Sequence, residues 1–263
     1  MKQAPVSRRS IAARLGVGVL SLAILGVGSS RADSPGAEAK TFIFLVFSDP
    51  AAGQAEAYDG WNTDENLAKT PGFVSARRFV YSDVQIRNPV IKVPRHLTLY
   101  TVKTDDPAQT LAQIKRRTLA GRDQSPSPVG DVVIVAYKIF RPEMTCLAEP
   151  AGAGAPETDA LLVFQDAVSG QDDAFNAWYD KVHAPELLAI PGFVGAQRAI
   201  YSGVDQAKPI YWPRYLVTFR VVTHDLGKVF QAALAGGPPS PALDRTTSFG
   251  YTYRALGPEI SGR

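Results

Sequence analysis

One short stretch of the chain gathers residue types capable of chemistry: Asn176, Trp178, Tyr179, Asp180 and His183, just ahead of Pro185. On a helix beginning near Gln171, Phe175, Trp178, Tyr179 and Val182 follow the i, i+3, i+4, i+7 spacing of a buried stripe, and Asn176, Asp180 and His183 form a stripe beside it. Asp180 then stands one turn before His183, where a carboxylate orients an imidazole and favours its protonated form. Pro185 discourages helical geometry at Ala184, so His183 is expected in the last turn, where open carbonyls also favour a cation. The chemistry implied is general acid/base transfer. His183 moves the proton, Asp180 orients the ring, and Tyr179 or Tyr201 offers a hydroxyl to the substrate. A structural reading stands beside it, in which His183 caps the helix and Trp178 fills the core.

Other candidates lie on strands. Arg77, Arg78 and Arg198 carry the charge to clamp a carboxylate, although strand arginines also pair with surface acids. Tyr211-Trp212-Pro213 beside Tyr215 offers an aromatic wall for a ring-shaped ligand, or a cover for the sheet edge and core. Substrate contacts are accordingly expected from Trp178, Asn176, Arg198, Tyr201 and Tyr215. No metal site is expected, because His96, His183 and His224 are scattered and the single cysteine, Cys146, offers no ligand spacing of a known kind. Cys146 also lacks basic neighbours that would make it a reactive thiolate.

The elements that position these residues follow from an internal repeat. Residues 71–82, PGFVSARRFVYS, match residues 191–202, PGFVGAQRAIYS, at about two positions in three. The match extends upstream, where Leu45-Val46-Phe47 answers Leu162-Val163-Phe164 and Trp61 answers Trp178, and downstream, where Pro94-Arg95 answers Pro213-Arg214. Each copy reads β-α-β-β-α-β: strands at 41–48, 73–81, 95–103 and 132–140 in the first, and at 160–165, 193–201, 214–222 and 249–256 in the second. The second helix of the first copy has Asp106 as its cap and Pro107 just inside; the corresponding helix starts at Asp225. The fold class is therefore α+β, with one ferredoxin-like unit over residues 41–143, a linker over 144–159 and a second unit over 160–257. Phe42 to Phe47, Leu161 to Phe164 and Val132 to Tyr137 are nearly continuous apolar runs, so both faces of each sheet are expected to be covered. Helices cover one face; the simplest cover for the other is the sheet of the sister copy, giving an intramolecular dimeric α/β barrel.

The stretch from Phe175 to Glu186, FNAWYDKVHAPE, followed by Ile190-Pro191-Gly192-Phe193, resembles the first-helix signature of the EthD-like group of dimeric α/β-barrel proteins. That superfamily pairs ferredoxin-like units face to face, usually between chains. The resemblance implies a fused pair here, and a range of activities that includes cofactor-independent cyclases, isomerases and monooxygenases, haem enzymes and proteins without an assigned reaction. The motif is specific in the second copy only. The first copy is three residues shorter between Trp61 and Pro71, has no histidine at the corresponding place and carries Asp64, Glu65 and Asn66 in the shortened turn. It is expected to act as a structural partner.

The first 32 residues read as a twin-arginine signal peptide: Ser7-Arg8-Arg9-Ser10-Ile11, an apolar run from Leu15 to Val27, and small residues before a cleavage point after Ala32. The expected destination is the periplasm. Lys2, Arg8, Arg9, Arg14 and Arg31 all leave with that segment, so the formal charge of +3 for the whole chain becomes slightly negative for the mature one. Neither a nucleic-acid footprint nor a basic membrane patch is left, and no stable membrane association is expected after cleavage. The function class expected is a small-molecule-binding barrel for an apolar organic ligand; if catalytic, it is a lyase, cyclase or isomerase that uses histidine acid/base chemistry and no cofactor. A non-catalytic ligand carrier or interaction module is one alternative. A haem-dependent oxidoreductase or monooxygenase is another, in keeping with the ability of the twin-arginine route to export proteins folded around cofactors.

Overall fold

The computed structural model describes residues 39–61, 67–86, 92–120, 128–146, 157–205 and 210–262. Residues 1–38, where a signal peptide is expected, Asp64 to Asn66 and residues 147–156 of the expected linker lie outside the described residues. In the first copy β1 (Lys40–Pro50) leads to α1 (Ala55–Trp61), β2 (Phe73–Tyr81), β3 (His96–Thr104), α2 (Pro107–Ala120) and β4 (Val129–Ile139). A short β5 (Met144–Thr145) follows. The second copy has β6 (Glu157–Ala167), α3 (Asp172–Trp178), a π-helical turn (Tyr179–His183), α4 (Ala184–Leu188), β7 (Phe193–Asp205), β8 (Tyr215–Thr223), α5 (Leu226–Leu234) and β9 (Leu243–Ala255), then a short β10 (Ile260–Ser261).

All pairings are antiparallel, and each copy has the ferredoxin-like strand order, β4-β1-β3-β2 and β9-β6-β8-β7. β4 pairs with β7 across one seam and β2 with β9 across the other, so the eight long strands close on themselves and leave no long open edge. The linker is shorter than the composition implied. Met144 and Thr145 pair with Ala196 and Gly195, and β6 already begins at Glu157. The chain also continues past residue 257, where Ile260 pairs with Ala76 of the first copy.

Three apolar layers account for the unbroken hydrophobic runs. Ile43, Leu45 and Phe47 meet Leu162, Phe164, Tyr251 and Tyr253 inside the barrel. Their neighbours Phe42, Phe44 and Val46 pack outward against α2, and Leu161 packs outward against the helices of the second copy. Alternate residues of β1 and β6 thus face different cores, and both faces are dry. Two buried tyrosines tie the copies together reciprocally. Tyr137 of the first copy donates to the Pro213 carbonyl of the second at 2.8 Å, and Tyr253 of the second donates to the Pro94 carbonyl of the first at 3.1 Å. This is the self-complementary pattern of a two-fold interface, preserved inside one chain. Trp212 belongs to this interior as well, stacked on Phe47 at 6.1 Å, which settles the Tyr211-Trp212-Pro213 segment as core cover; Tyr211 itself is exposed and bonds Asp166 at 2.6 Å.

The repeated Pro-Gly turns need their glycines. Gly72 and Gly192 have φ of +71° and +111°, and a Cβ at Gly72 would lie 2.0 Å from the Lys103 carbonyl oxygen. The aspartate caps are present too: Asp106 Oδ1 accepts from Gln109 N at 2.8 Å, and Asp225 Oδ1 from Lys228 N at 2.9 Å. Among the described residues no helix is long and apolar enough to cross a membrane.

Candidate functional site in the second copy

Helical structure does not stop before Pro185. It runs on through α4, with Pro185 in the first turn of that segment. Between α3 and α4 the ladder widens, and Ala184 N–H bonds the Tyr179 carbonyl five residues back. Proline has no N–H and its ring crowds the carbonyl four residues earlier, so a wider turn at this point accommodates it without ending the helix. The carbonyls expected to be open beside His183 are therefore partly used by a continuing ladder. Helix-end stabilisation of an imidazolium falls away as an argument.

The π-turn also changes which side chains meet. In a regular α-helix, residues five apart point about 140° away from each other. Here His183 lies on the face of Trp178, with ring centroids 4.5 Å apart and planes 15° from parallel, and meets Tyr179 edge-on at 5.0 Å. Asp180 is turned to a different task. One of its oxygens is paired with Arg198 and the other with Arg141 Nε at 2.9 Å. The part expected of Asp180, orienting His183, is corrected: its carboxylate is the counter-ion of a buried arginine.

That arginine organises most of the remaining candidates. Arg198 is fully buried, and its other terminal nitrogen donates to Asn176 Oδ1 at 2.7 Å. Its guanidinium carbon lies 4.6 Å from the Tyr179 ring, 5.0 Å from Phe140 and 5.9 Å from Tyr215. Asn176 Nδ2 bonds the Tyr215 hydroxyl at 3.2 Å, and that hydroxyl in turn donates to Asp172. Burial, reinforced by the Asp172 hydrogen bond, raises the Tyr215 pKa. Asn176, Asp180, Arg198 and Tyr215 thus form a polar network between helix and sheet. Tyr201 stands apart, on the barrel side of β7 against Tyr137 at 5.7 Å, with its hydroxyl on Asp205 at 2.7 Å. It is not brought to the other candidates.

Trp178, Tyr179 and His183 do share a cavity, of about 110 Å³, between the helices of the second copy and its sheet. Leu161, Val163 and Gln165, alternate residues of β6, form its floor, and Phe219, Ala233 and Phe249 close it. Two polar atoms on this wall are buried without a hydrogen-bond partner: the Tyr179 hydroxyl and Gln165 Oε1. Burial drives the Tyr179 pKa well above that of an ordinary phenol, against the opposing charge of Arg198, so the hydroxyl stays neutral and can donate. Gln165 escaped the sequence reading. Its signal was a single amide ending an apolar strand run, at a position in phase with Leu161 and Val163. Among the described residues no cluster of histidine, cysteine, aspartate and glutamate has the makings of a metal site.

No family model matches the chain, and no curated protein matches it by sequence. Solved structures do share its fold. An anthrone oxidase-like protein superposes with a TM-score of 0.51 at 14% identity, over 84% of this chain and 93% of the other. A Fusobacterium nucleatum protein named as a monooxygenase gives 0.52 at 8% identity, over 85% and 95%. A variant of chlorite dismutase from Candidatus Nitrospira defluvii gives 0.51 at 9% identity, over 82% and 92%. The chain thus shares the fold of these proteins, an α/β barrel of two ferredoxin-like units, both of them here within one chain.

Proposed function

We propose that this is an exported small-molecule-binding α/β-barrel protein whose second copy receives a compact, largely apolar organic molecule in the cavity beside His183. The observation that carries the reading is the pair of partnerless polar atoms, Tyr179 Oη and Gln165 Oε1, in a wall that is mostly apolar apart from His183 and Ser248. A buried polar group left unsatisfied costs roughly 1–3 kcal/mol. A ligand that accepts from the phenol and donates to the amide oxygen removes that cost, and apolar walls select against charged competitors. With such a molecule in place, His183 lies on the same wall and supplies the acid/base group for a proton shift, the chemistry of a lyase, cyclase or isomerase that needs no cofactor.

Haem fits poorly. Pockets for drug-sized ligands measure roughly 300–1,000 Å³, and the cavity of about 110 Å³ beside His183 is too small for a porphyrin. The imidazole face is also stacked on Trp178. The non-catalytic carrier draws support from the same stacking, since a histidine held against an indole serves as a wall as readily as a base.

Phenol, with one ring and one hydroxyl, is the simplest probe. It should bind the purified protein and quench tryptophan fluorescence, and Ala233→Leu, which fills the cavity, should abolish binding. Unchanged phenol binding in Ala233→Leu removes the cavity as the site. Once a substrate is found, His183→Ala should retain binding and lower turnover about 10²- to 10⁴-fold; full turnover in that variant removes His183 as the proton-transfer group. A Soret band in the purified protein would reverse the judgement on haem. Export is checked by the intact mass of periplasmic protein, which should correspond to a chain starting at or near Asp33.

A further inference from the structure

The first copy was expected to be structural support, yet it holds a cavity of about 160 Å³ in the corresponding place. The correspondence is fixed by strand register. Ser48 pairs with His96 and Phe44 with Tyr100 in the first copy, just as Gln165 pairs with Tyr215 and Leu161 with Phe219 in the second. Ser48 and Tyr100 therefore stand where Gln165 and Phe219 stand, and all four line their respective cavities. The chemistry of the walls differs. In the first copy Ser48, Thr70, Thr98 and Thr118 are all buried hydroxyl residues, Tyr100 is buried beside them, and Arg117 adds a positive charge.

Part of this polar lining is used within the protein and part is not. Ser48 Oγ bonds the Tyr58 hydroxyl at 2.6 Å, and Thr118 donates to the Ile114 carbonyl at 2.9 Å. Arg117 bonds Thr70 Oγ1 at 2.8 Å and the Lys69 carbonyl. A guanidinium has five N–H donors, so donors remain. Thr98 and Tyr100 are both buried, and both line the cavity. Arg117 is close enough for its charge to oppose the upward push that burial gives the Tyr100 pKa.

We infer that the first copy is a second binding site, for a small hydroxylated carboxylate: its carboxylate meets Arg117, and its hydroxyl exchanges hydrogen bonds with Thr98 and Tyr100. The apolar side chains of Val46, Leu67 and Ile114 leave room for a short carbon skeleton and little else. One chain then carries two ligand sites of unlike polarity at equivalent places in its repeat.

Lactate is the probe, titrated calorimetrically into the purified protein. Saturable binding is expected, weakened about tenfold or more by Arg117→Gln, which removes a charge-assisted contact. Thr98→Val and Tyr100→Phe should each weaken it roughly fivefold, the worth of one hydrogen bond. The melting temperature without ligand should stay close to that of the parent in both variants, so that the loss is read as a lost ligand contact and not as damage to the fold. That combination separates a ligand group from a structural one. Gln165→Leu, in the other cavity, should leave lactate affinity unchanged. The inference is overturned if lactate shows no saturable binding into the tens of millimolar, if Thr98→Val and Tyr100→Phe bind it as well as the parent, or if Gln165→Leu abolishes binding.

Discussion

Replacing Asp180 by asparagine tests the reassignment of that residue from ring-orienting group to counter-ion. The side chain keeps its shape and loses its charge, which leaves the fully buried Arg198 guanidinium among aromatic rings with only neutral oxygens to bond. Removing one partner of a buried ion pair costs about 3–5 kcal/mol. Asp180 keeps 25% of its side-chain surface in solvent, so the lower end, about 3 kcal/mol, is expected. For a domain of this size each kcal/mol moves the melting temperature by about 2–4 °C, giving a fall of roughly 6–12 °C. Arg141→Ala is the control: its side chain is 47% exposed, and loss of such a pair is worth about 0–1 kcal/mol. Arg198→Met removes the stranded charge, so the double variant should be much less destabilised than the sum of the two single ones. Melts followed by circular dichroism, with urea unfolding of the same variants, supply the cycle. If Asp180→Asn melts within a degree or so of the parent, or the two losses simply add, the counter-ion assignment is wrong and the orienting role returns.

Other consequences are quicker to check. Tyr137→Phe and Tyr253→Phe each strand a buried proline carbonyl across the barrel, so each should cost about 1–3 kcal/mol in urea unfolding, and the two costs should be alike. Gly72→Ala forces a side chain onto φ +71° and onto the Lys103 carbonyl and should cost more than about 2 kcal/mol; Gly53→Ala, with open space around a Cβ at φ +74°, should cost only about 1–2 kcal/mol. The pKa values of Tyr58 and Tyr201 are both pushed up to about 12, chiefly by burial, whereas the unfolded chain titrates near 10. Between those values the folded state holds protons that the unfolded state has released, so stability should be level below about pH 10 and fall as the pH rises toward 12. Phenolate absorbance followed beside urea unfolding measures this directly.

The barrel was legible because its causes are written locally and twice. The apolar runs at Phe42 to Phe47 and Leu161 to Phe164 carry no polar face, which permits only a sheet covered on both sides, and the repeated Pro-Gly turns and aspartate caps mark the same boundaries in each copy. The site was legible to the level of the helix and no further. Spacing arithmetic on a regular helix grouped Asp180 with His183, and a single widened turn regrouped His183 with Trp178. Pro185 announced an irregularity, but whether a helix ends or widens at a proline depends on what the next turn can bury, here Ala184 and Leu187 against the sheet. The fate of Arg198 was equally hidden. Arg141, which shares the Asp180 carboxylate with it, and its ring neighbour Phe140 come from just past the end of β4, across the seam between copies, and local sequence carries no information about that neighbour.

Fusion of the two units has a physical consequence for the cavities. In a symmetric dimer of identical chains, each wall position is the same residue twice, so a polar lining in one cavity forces a polar lining in the other. In one chain Ser48 and Gln165, or Tyr100 and Phe219, change independently, while the barrel interior that both copies share stays apolar and bound by reciprocal tyrosine bonds. The two cavities lie on opposite outer faces of that interior, separated by the close-packed layer containing Phe47, Phe164 and Tyr251. Such a layer resists small displacements, and the outer cavities do not share side chains. Substitutions within one cavity should therefore add to those within the other, and energetic coupling between the copies should arise at the seams and the shared core, where Tyr137, Tyr253 and Trp212 sit.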